Sequence, residues 1–506
     1  MNEKPLEDRQ AETLDCDLCI LGAGIAGLNA LFAASRHLSA GDKVVVVDRN
    51  TSPAGMWTRV YSYVRLHQPH PMFTAGNIPW RGQSDPYYLA TRTEVVEHLE
   101  HCYQVLTGKM HVDSKFGWEY LQHREGQDGS RPVTVECQQV DTGAKLNIRC
   151  ARLIKAFGYD VQPKAPLELS SQAVLSVSPD QCDLLGPDIR KGAAPIYIIG
   201  GGKTGMDTAH MLMRNLPGRP IRMVVGAGTM FLNRDQANPS GLRKHYAGLT
   251  PLEILLDIAS RFNGRNEHYI LDYMRKNHCL ALDASCRRFA FGLLSENENA
   301  EIVRGVDEVI KDHLVDVVDD AQGPTLLLRS GMRRRVEPGA VFINTTGYID
   351  GGTGPYEPYL SAGGRVLSIQ SRSAIHFLSS QSSYFLTHLF MLDKLAAVPL
   401  YEVDVAELRG ANREVFPATA ITLTLYNSAV IIKHLPRWAL EENGLDFMLM
   451  FPMHRRLLAF GKLMLHLKLH PTLFADAMDT VRERFNIRLG PLSHAPPSHA
   501  AVRAAS

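Results

Sequence analysis

Two glycine-rich segments, Gly22-Ala-Gly-Ile-Ala-Gly27 and Gly200-Gly-Gly-Lys-Thr-Gly205, repeat one spacing, GxGxxG. Each follows a short apolar run (Leu18 to Leu21; Ile196 to Ile199) and opens into helix-compatible sequence. In that strand–turn–helix setting each glycine has a separate task. The first (Gly22, Gly200) allows a tight turn, the second (Gly24, Gly202) lets backbone approach a pyrophosphate, and the third (Gly27, Gly205) lets the helix pack close to the strand. The pyrophosphate then rests on unpaired amides at the helix N-terminus. Two such turns predict two dinucleotides on one chain, and the usual pair is a flavin and a nicotinamide.

The residues around each turn refine this expectation. Val44-Val-Val-Val-Asp48 reads as a strand covered on both faces. Asp48 ends it about 20 residues beyond Gly27, where an acid takes ribose hydroxyls. This site suits the adenosine half of FAD, with Arg49 beside it. The strand after the second turn, Ile221-Arg-Met-Val-Val225, ends in Gly226-Ala-Gly228 and not in an acid. Nothing there repels a 2′-phosphate, so the expectation is NADPH, with NADH not excluded. Arg234 is the nearest downstream candidate for that phosphate and Lys203 the second, with Thr204 also in the turn. A phosphate-loop reading of Gly202-Lys-Thr fails, because the glycine it needs five residues earlier is Tyr197.

Bulk composition narrows the class. The 506 residues carry 54 Lys plus Arg against 53 Asp plus Glu, which gives no argument for a nucleic-acid partner. Eight cysteines show no framework or metal-ligand spacing, and no metal site is expected. Cys16 and Cys19 form a C-x-x-C but fall in the first strand, where residues three apart point to opposite faces. No helix N-terminus is there to activate a thiol. The polar opening and the absence of a long apolar span predict a soluble, cytoplasmic protein.

Downstream of Asp48 come Gly55-Met-Trp57 and Tyr61-Ser-Tyr-Val-Arg-Leu-His-Gln-Pro69. These strings and their spacing resemble the class B flavin monooxygenases, over residues 15 to about 400. The resemblance implies that Gly55 and Trp57 belong to the FAD site. It also implies that His67 and Gln68 lie near the isoalloxazine ring and are the catalytic candidates. The implied activity is NAD(P)H-dependent oxygenation of a small organic substrate, at nitrogen, sulfur or a carbonyl carbon, with O2 and a C4a-hydroperoxyflavin. One departure stands out: the family's F-x-G-x-x-x-H linker has no counterpart, since no histidine lies between Lys164 and Ile196. Two other readings share the fingerprints: an NAD(P)H-dependent flavin oxidoreductase that does not oxygenate, and a catalytically silent flavin-binding regulatory module.

The fold class expected is α/β, with two Rossmann-like dinucleotide-binding domains and a helical C-terminal region. Lys155-Ala-Phe-Gly-Tyr-Asp160 and Ile343-Asn-Thr-Thr-Gly-Tyr348 resemble the family's linker strands. They place a nicotinamide domain with a helical insertion (190–340) inside an FAD domain (13–165 and 341–410). Residues 411–488 read as mostly helical and 489–506 as disordered. Residues 453–469 are basic and apolar together. Apolar residues on all faces favour a helix packed on the flavin domain or in a dimer over one lying on a membrane surface, and a homo-oligomer is compatible with this.

Overall fold

The computed structural model describes residues 12–126, 129–158, 161, 163–347, 354–444 and 447–492. The first unit is a sheet in the order β3-β2-β1-β6-β5-β4. Its strands are β1 (Glu12–Leu21), β2 (Lys43–Asp48), β3 (His111–Phe116), β4 (Trp118–Glu125), β5 (Val133–Gln139) and β6 (Lys145–Gly158). Strands β3, β2, β1 and β6 run parallel, and β5 and β4 continue antiparallel. The apolar runs of β1 and β2 are buried on both faces, as a parallel sheet demands. The helix Ile25–Ser35 returns between them, with nearly every residue buried.

A second parallel sheet has the order β13-β9-β8-β17-β7. It contains β7 (Leu175–Val177), β8 (Ile196–Ile199), β9 (Ile221–Val224), β13 (Glu308–Ile310) and β17 (Val341–Asn344). Between β9 and β13 the chain adds β10 (Thr229–Asn233), β11 (Cys279–Ala281) and β12 (Arg288–Leu294) as a small sheet, and between β13 and β17 a meander of β14 (Leu314–Asp320), β15 (Gly323–Leu328) and β16 (Arg333–Arg335). The chain then rejoins the first sheet through β18 (Val366–Gln370), parallel to the end of β6.

Two expected boundaries move. Strand β17, placed by sequence in the FAD domain, pairs with β8 and β7, and β7 lies before residue 190. The second unit therefore runs from 175 to 344. The reason is that Val341-Phe-Ile343 is apolar throughout and buries both faces between β8 and β7. The tail also differs from expectation. Strand β21 (Leu489–Pro491) closes a small sheet with β20 (Tyr401–Asp404), which also pairs β19 (Ser373–Ala374). Leu489 is buried there, so order begins where disorder was expected; residues 493–506 lie outside the described residues, as do Tyr159, Asp160 and Tyr348 of the linker strings.

The helical insertion Pro251–Ala259 and Glu267–Asn277 shares one core with the C-terminal helices Phe416–His434 and Leu473–Phe485, through Ile254, Ile258, Ile270, Ile421, Phe474 and Met478. These two segments, remote in sequence, form a single helical body. Within it the helix Met453–Leu469 fully buries only Ala459 and Leu463. The expectation that its apolar residues are packed on all sides is thereby corrected: the helix rests one narrow side on the insertion and leaves the rest to solvent. Among the described residues no helix is long and apolar enough to cross a membrane.

Candidate active site

Both glycine turns sit at the carboxyl end of a central parallel strand, β1 or β8, beside the point where strand order reverses (β1/β6 and β8/β17). That is where open α/β sheets bind ligands. At the first turn Gly22 has φ +103°, and a Cβ there would come within 2.5 Å of the Ala156 carbonyl oxygen. A Cβ on Gly27 would overlap the Gly22 carbonyl. The helix that follows is capped by Gly24 with no side-chain hydrogen bond and no acid in its first turn. Its leading amides therefore face outward, suited to an anion.

Gly24 itself is packed against Gly55. A Cβ on Gly24 would lie 3.4 Å from the Gly55 Cα, and one on Gly55 (φ +54°) would lie 2.9 Å from the Gly24 Cα. The preceding Ala54 takes φ +94°, a strained conformation for a residue with a side chain, and donates its N–H to the Ala23 carbonyl at 3.0 Å. Arg92 fixes the following turn by donating to the Trp57 and Thr58 carbonyls at 2.9 and 2.6 Å. Trp57 is buried edge-on against Phe73. Asp48 is buried beside the same turn and accepts from the Ala23 and Asn50 amides at 2.6 and 2.7 Å. Burial raises its pKa despite those bonds. Arg49 stands next to it, partly buried.

At the second turn Gly200 has φ +123°, and a Cβ there would meet the Thr345 hydroxyl and carbonyl at 2.8 and 2.9 Å. A Cβ on Gly205 would overlap the Gly200 carbonyl. Gly202 is different: it has extended backbone, caps the helix Lys203–Asn215, and a Cβ there would meet nothing within 4 Å. The open approach sequence reasoning assigns to the second glycine exists at this turn. Thr204 is buried in the first turn of that helix.

Residues 57–70 of the first unit run across to the second. The Tyr61 hydroxyl donates to Asp207 at 3.0 Å, and the Tyr63 hydroxyl bonds the Thr208 hydroxyl at 2.6 Å. His67 accepts the Leu293 N–H at Nδ1, at 3.1 Å. Its proton therefore sits on Nε2, leaving a neutral donor there. Burial, then the cations Lys203 and Arg234, push the His67 pKa down to about 3. Gln68 follows, partly buried, with no hydrogen bond from its side chain among the described residues.

Lys203 and Arg234 are close to His67 and to each other. The Lys203 ammonium pairs with Asp207 and, at 3.5 Å, with Glu298; the Arg234 guanidinium pairs with Glu298 at 2.9 Å. The Arg234 Nη1 is buried without a protein partner. A cleft of about 310 Å³ opens beside these groups, lined by Pro69, Tyr87, Arg234, Asn238, Arg243 and Glu296. Sequence reasoning missed Tyr61, Tyr63, Asp207 and Glu298. Two signals for them were available: Lys203 and Asp207 are one helical turn apart, and Ser295-Glu-Asn-Glu298 is a capping box, as the structure confirms.

Cys16 and Cys19 lie in β1 and line one buried cluster with Cys137 and Cys150, not opposite faces of the strand. Burial pushes the Cys137 thiol up to about 12, and the Cys16 and Cys150 thiols are also raised. None is a ready thiolate. Among the described residues no cluster of His, Cys, Asp and Glu could hold a metal ion.

Comparison with known proteins agrees with this geometry. The family model described as pyridine nucleotide-disulphide oxidoreductase matches residues 16–236. An uncharacterized protein of Mycobacterium tuberculosis is 27% identical over 219 residues, 40% of this chain. The match covers 37% of that relative, so the chain spans little more than a third of its length. Among solved structures, a cyclohexanone monooxygenase mutant from Rhodococcus sp. Phi1 bound to NADP+ superposes with TM-score 0.50 at 14% identity, covering 80% of this chain and 91% of that one. An ε-caprolactone-bound cyclohexanone monooxygenase gives TM-score 0.50 at 14% identity, with 82% and 97% covered. Residues 16–236 thus match the pyridine nucleotide-disulphide oxidoreductase model, and the chain has an α/β fold like that of cyclohexanone monooxygenase.

Proposed function

We propose that the protein is an FAD-dependent, NADPH-using monooxygenase acting on a small organic substrate. The observation that supports this most is the 57–70 segment, which leaves the first glycine turn, bonds the helix of the second at Asp207 and Thr208, and sets the half-buried His67 against Leu293 of the second unit. Bound FAD would supply hydride acceptance from the nicotinamide and reaction with O2. The first turn fits its pyrophosphate, since the helix 25–35 has no side-chain cap, and Asp48, fixed on the Ala23 amide beside that turn, would take the adenosine ribose. The open Gly202 fits the pyrophosphate of the nicotinamide nucleotide, with Arg234 and Lys203 nearby for a 2′-phosphate.

The chain's own residues then do three things. The Tyr61, Tyr63 and His67 contacts hold the two units in register. The buried Trp57, Val60, Tyr61 and Leu66 of this segment keep water from the place where the sites meet. His67, neutral with its proton on Nε2, donates a hydrogen bond without acting as an acid at ordinary pH, and Gln68 offers a second donor. The cleft beside Pro69 has the volume of a small-ligand site.

The test follows NADPH consumed, hydrogen peroxide formed and oxygenated product formed, with a panel of amines, thioethers and ketones. Product should account for most NADPH with at least one substrate class, and His67→Ala should divert the output to peroxide. Peroxide matching NADPH throughout the panel would replace oxygenation with the oxidoreductase reading.

A further inference from the structure

Two segments far apart in sequence present exposed apolar side chains on neighbouring surface. On the helix Met453–Leu469, Met453, Leu457, Leu458, Phe460, Leu465 and Leu469 face solvent, with Leu457 and Leu469 each 63% exposed. On the turn 242–246, Leu242 and Tyr246 are 78% and 83% exposed. The two are held together: Arg455 donates to the Ala247 and Gly248 carbonyls at 3.2 and 2.7 Å, and His454 meets the His245 carbonyl at 3.2 Å. Isolated exposed leucines need no explanation, but a contiguous set from two segments does.

The charge pattern says what covers this face. No acidic residue occurs between Asp446 and Asp476, nor between Asp235 and Glu253. Arg243, Lys244, Arg455, Lys462 and Lys468 lie in those two stretches. The buried Glu253 answers Arg455 and Lys462, which leaves Arg243, Lys244 and Lys468 without an ion pair among the described residues. A second copy of the same face would set these cations against their equivalents. Apolar side chains ringed by lysine and arginine match the interface of an anionic bilayer, where leucines enter the acyl boundary and cations meet headgroup phosphates.

We infer that the 453–469 helix and the 242–246 turn form a docking face for an anionic phospholipid surface, on which the protein lies without spanning it. Arg243 belongs both to this face and to the 310 Å³ cleft, so docking sets the cleft beside the bilayer.

The test is co-sedimentation of the full chain with phosphatidylcholine vesicles, with and without phosphatidylglycerol, at low and high salt. Partitioning should be at least about tenfold stronger on the anionic vesicles and fall with salt. Lys244→Glu with Lys468→Glu should weaken it by about 30-fold or more. Leu457→Glu with Leu465→Glu should also weaken it without shifting the melting temperature, because both leucines are exposed. Equal binding to both vesicle types, no binding to either, or a dimer that the leucine pair converts to monomer in light scattering would each overturn the inference.

Discussion

Gly202→Ala separates ligand from fold more cleanly than any other substitution at the glycine turns. Gly202 has φ −76° and ψ −178°, which an alanine adopts freely, and a Cβ there meets no atom within 4 Å. Fewer unfolded conformations stabilise alanine by about 0.4–1 kcal/mol. Its poorer N-cap preference costs about as much. The net change should stay within about 0.5 kcal/mol, a melting shift under about 2 °C. A methyl group where the pyrophosphate approaches would weaken a charged hydrogen bond worth about 1.5–3 kcal/mol. The KM for NADPH should then rise about 10- to 100-fold while bound flavin is unchanged. Gly205→Ala is the control for damage to the fold, since its Cβ overlaps the Gly200 carbonyl; it should lower the melting temperature by several degrees. Gly24→Val is a poorer probe, because its side chain would meet Gly55 backbone before any ligand. A Gly202→Ala enzyme with wild-type melting temperature, flavin content and KM would refute the placement of a pyrophosphate at this turn.

Arg234→Ala should lower the ratio of kcat/KM for NADPH over NADH by about tenfold or more, the worth of a charge-assisted phosphate contact; equal use of both by the wild type would dispose of the 2′-phosphate assignment. His67, with its pKa near 3, should contribute no limb to the pH–rate profile between about pH 5 and 9, so a limb that vanishes in His67→Gln would contradict the buried neutral state. His98, His376 and His388, all buried, have pKa values pushed by burial to about 3, against about 6.5 when unfolded. Between those values the unfolded chain binds more protons, so stability rises with pH and is lost on acidification. Three such groups give a slope approaching about 4 kcal/mol per pH unit below about pH 6. Melting temperature should be flat near neutrality and fall steeply from pH 6 toward 4, and a constant value from pH 7 to 5 would count against neutral burial of these rings.

What the sequence reveals about this molecule is set by distance along the chain. Each glycine turn, its strand and its helix lie within about twenty residues, and their geometry follows from residue type alone: Gly22 and Gly200 take positive φ, and Gly27 and Gly205 leave no room for a Cβ. The apolar Val341-Phe-Ile343 suits either sheet, and only pairing of β17 with β8 decides between them. The composition of the helix 453–469, apolar on every face, suggests enclosure, but only Ala459 and Leu463 are buried. Which faces are covered depends on the insertion 251–259, some two hundred residues earlier. The same holds for the site. His67 meets Leu293, Tyr61 meets Asp207, and Arg234 meets Glu298 across separations that no local pattern encodes. The individual cradles are thus properties of short motifs, whereas their relative position is a property of the 57–70 segment. A substitution such as Tyr63→Phe removes one tether to the 203–215 helix and alters neither glycine turn. If the two sites work as a pair, it should slow hydride transfer from bound NADPH and leave both nucleotide affinities near wild type. If it weakened nucleotide binding and left the transfer rate intact, the tether would be part of a binding surface and not a register between two sites.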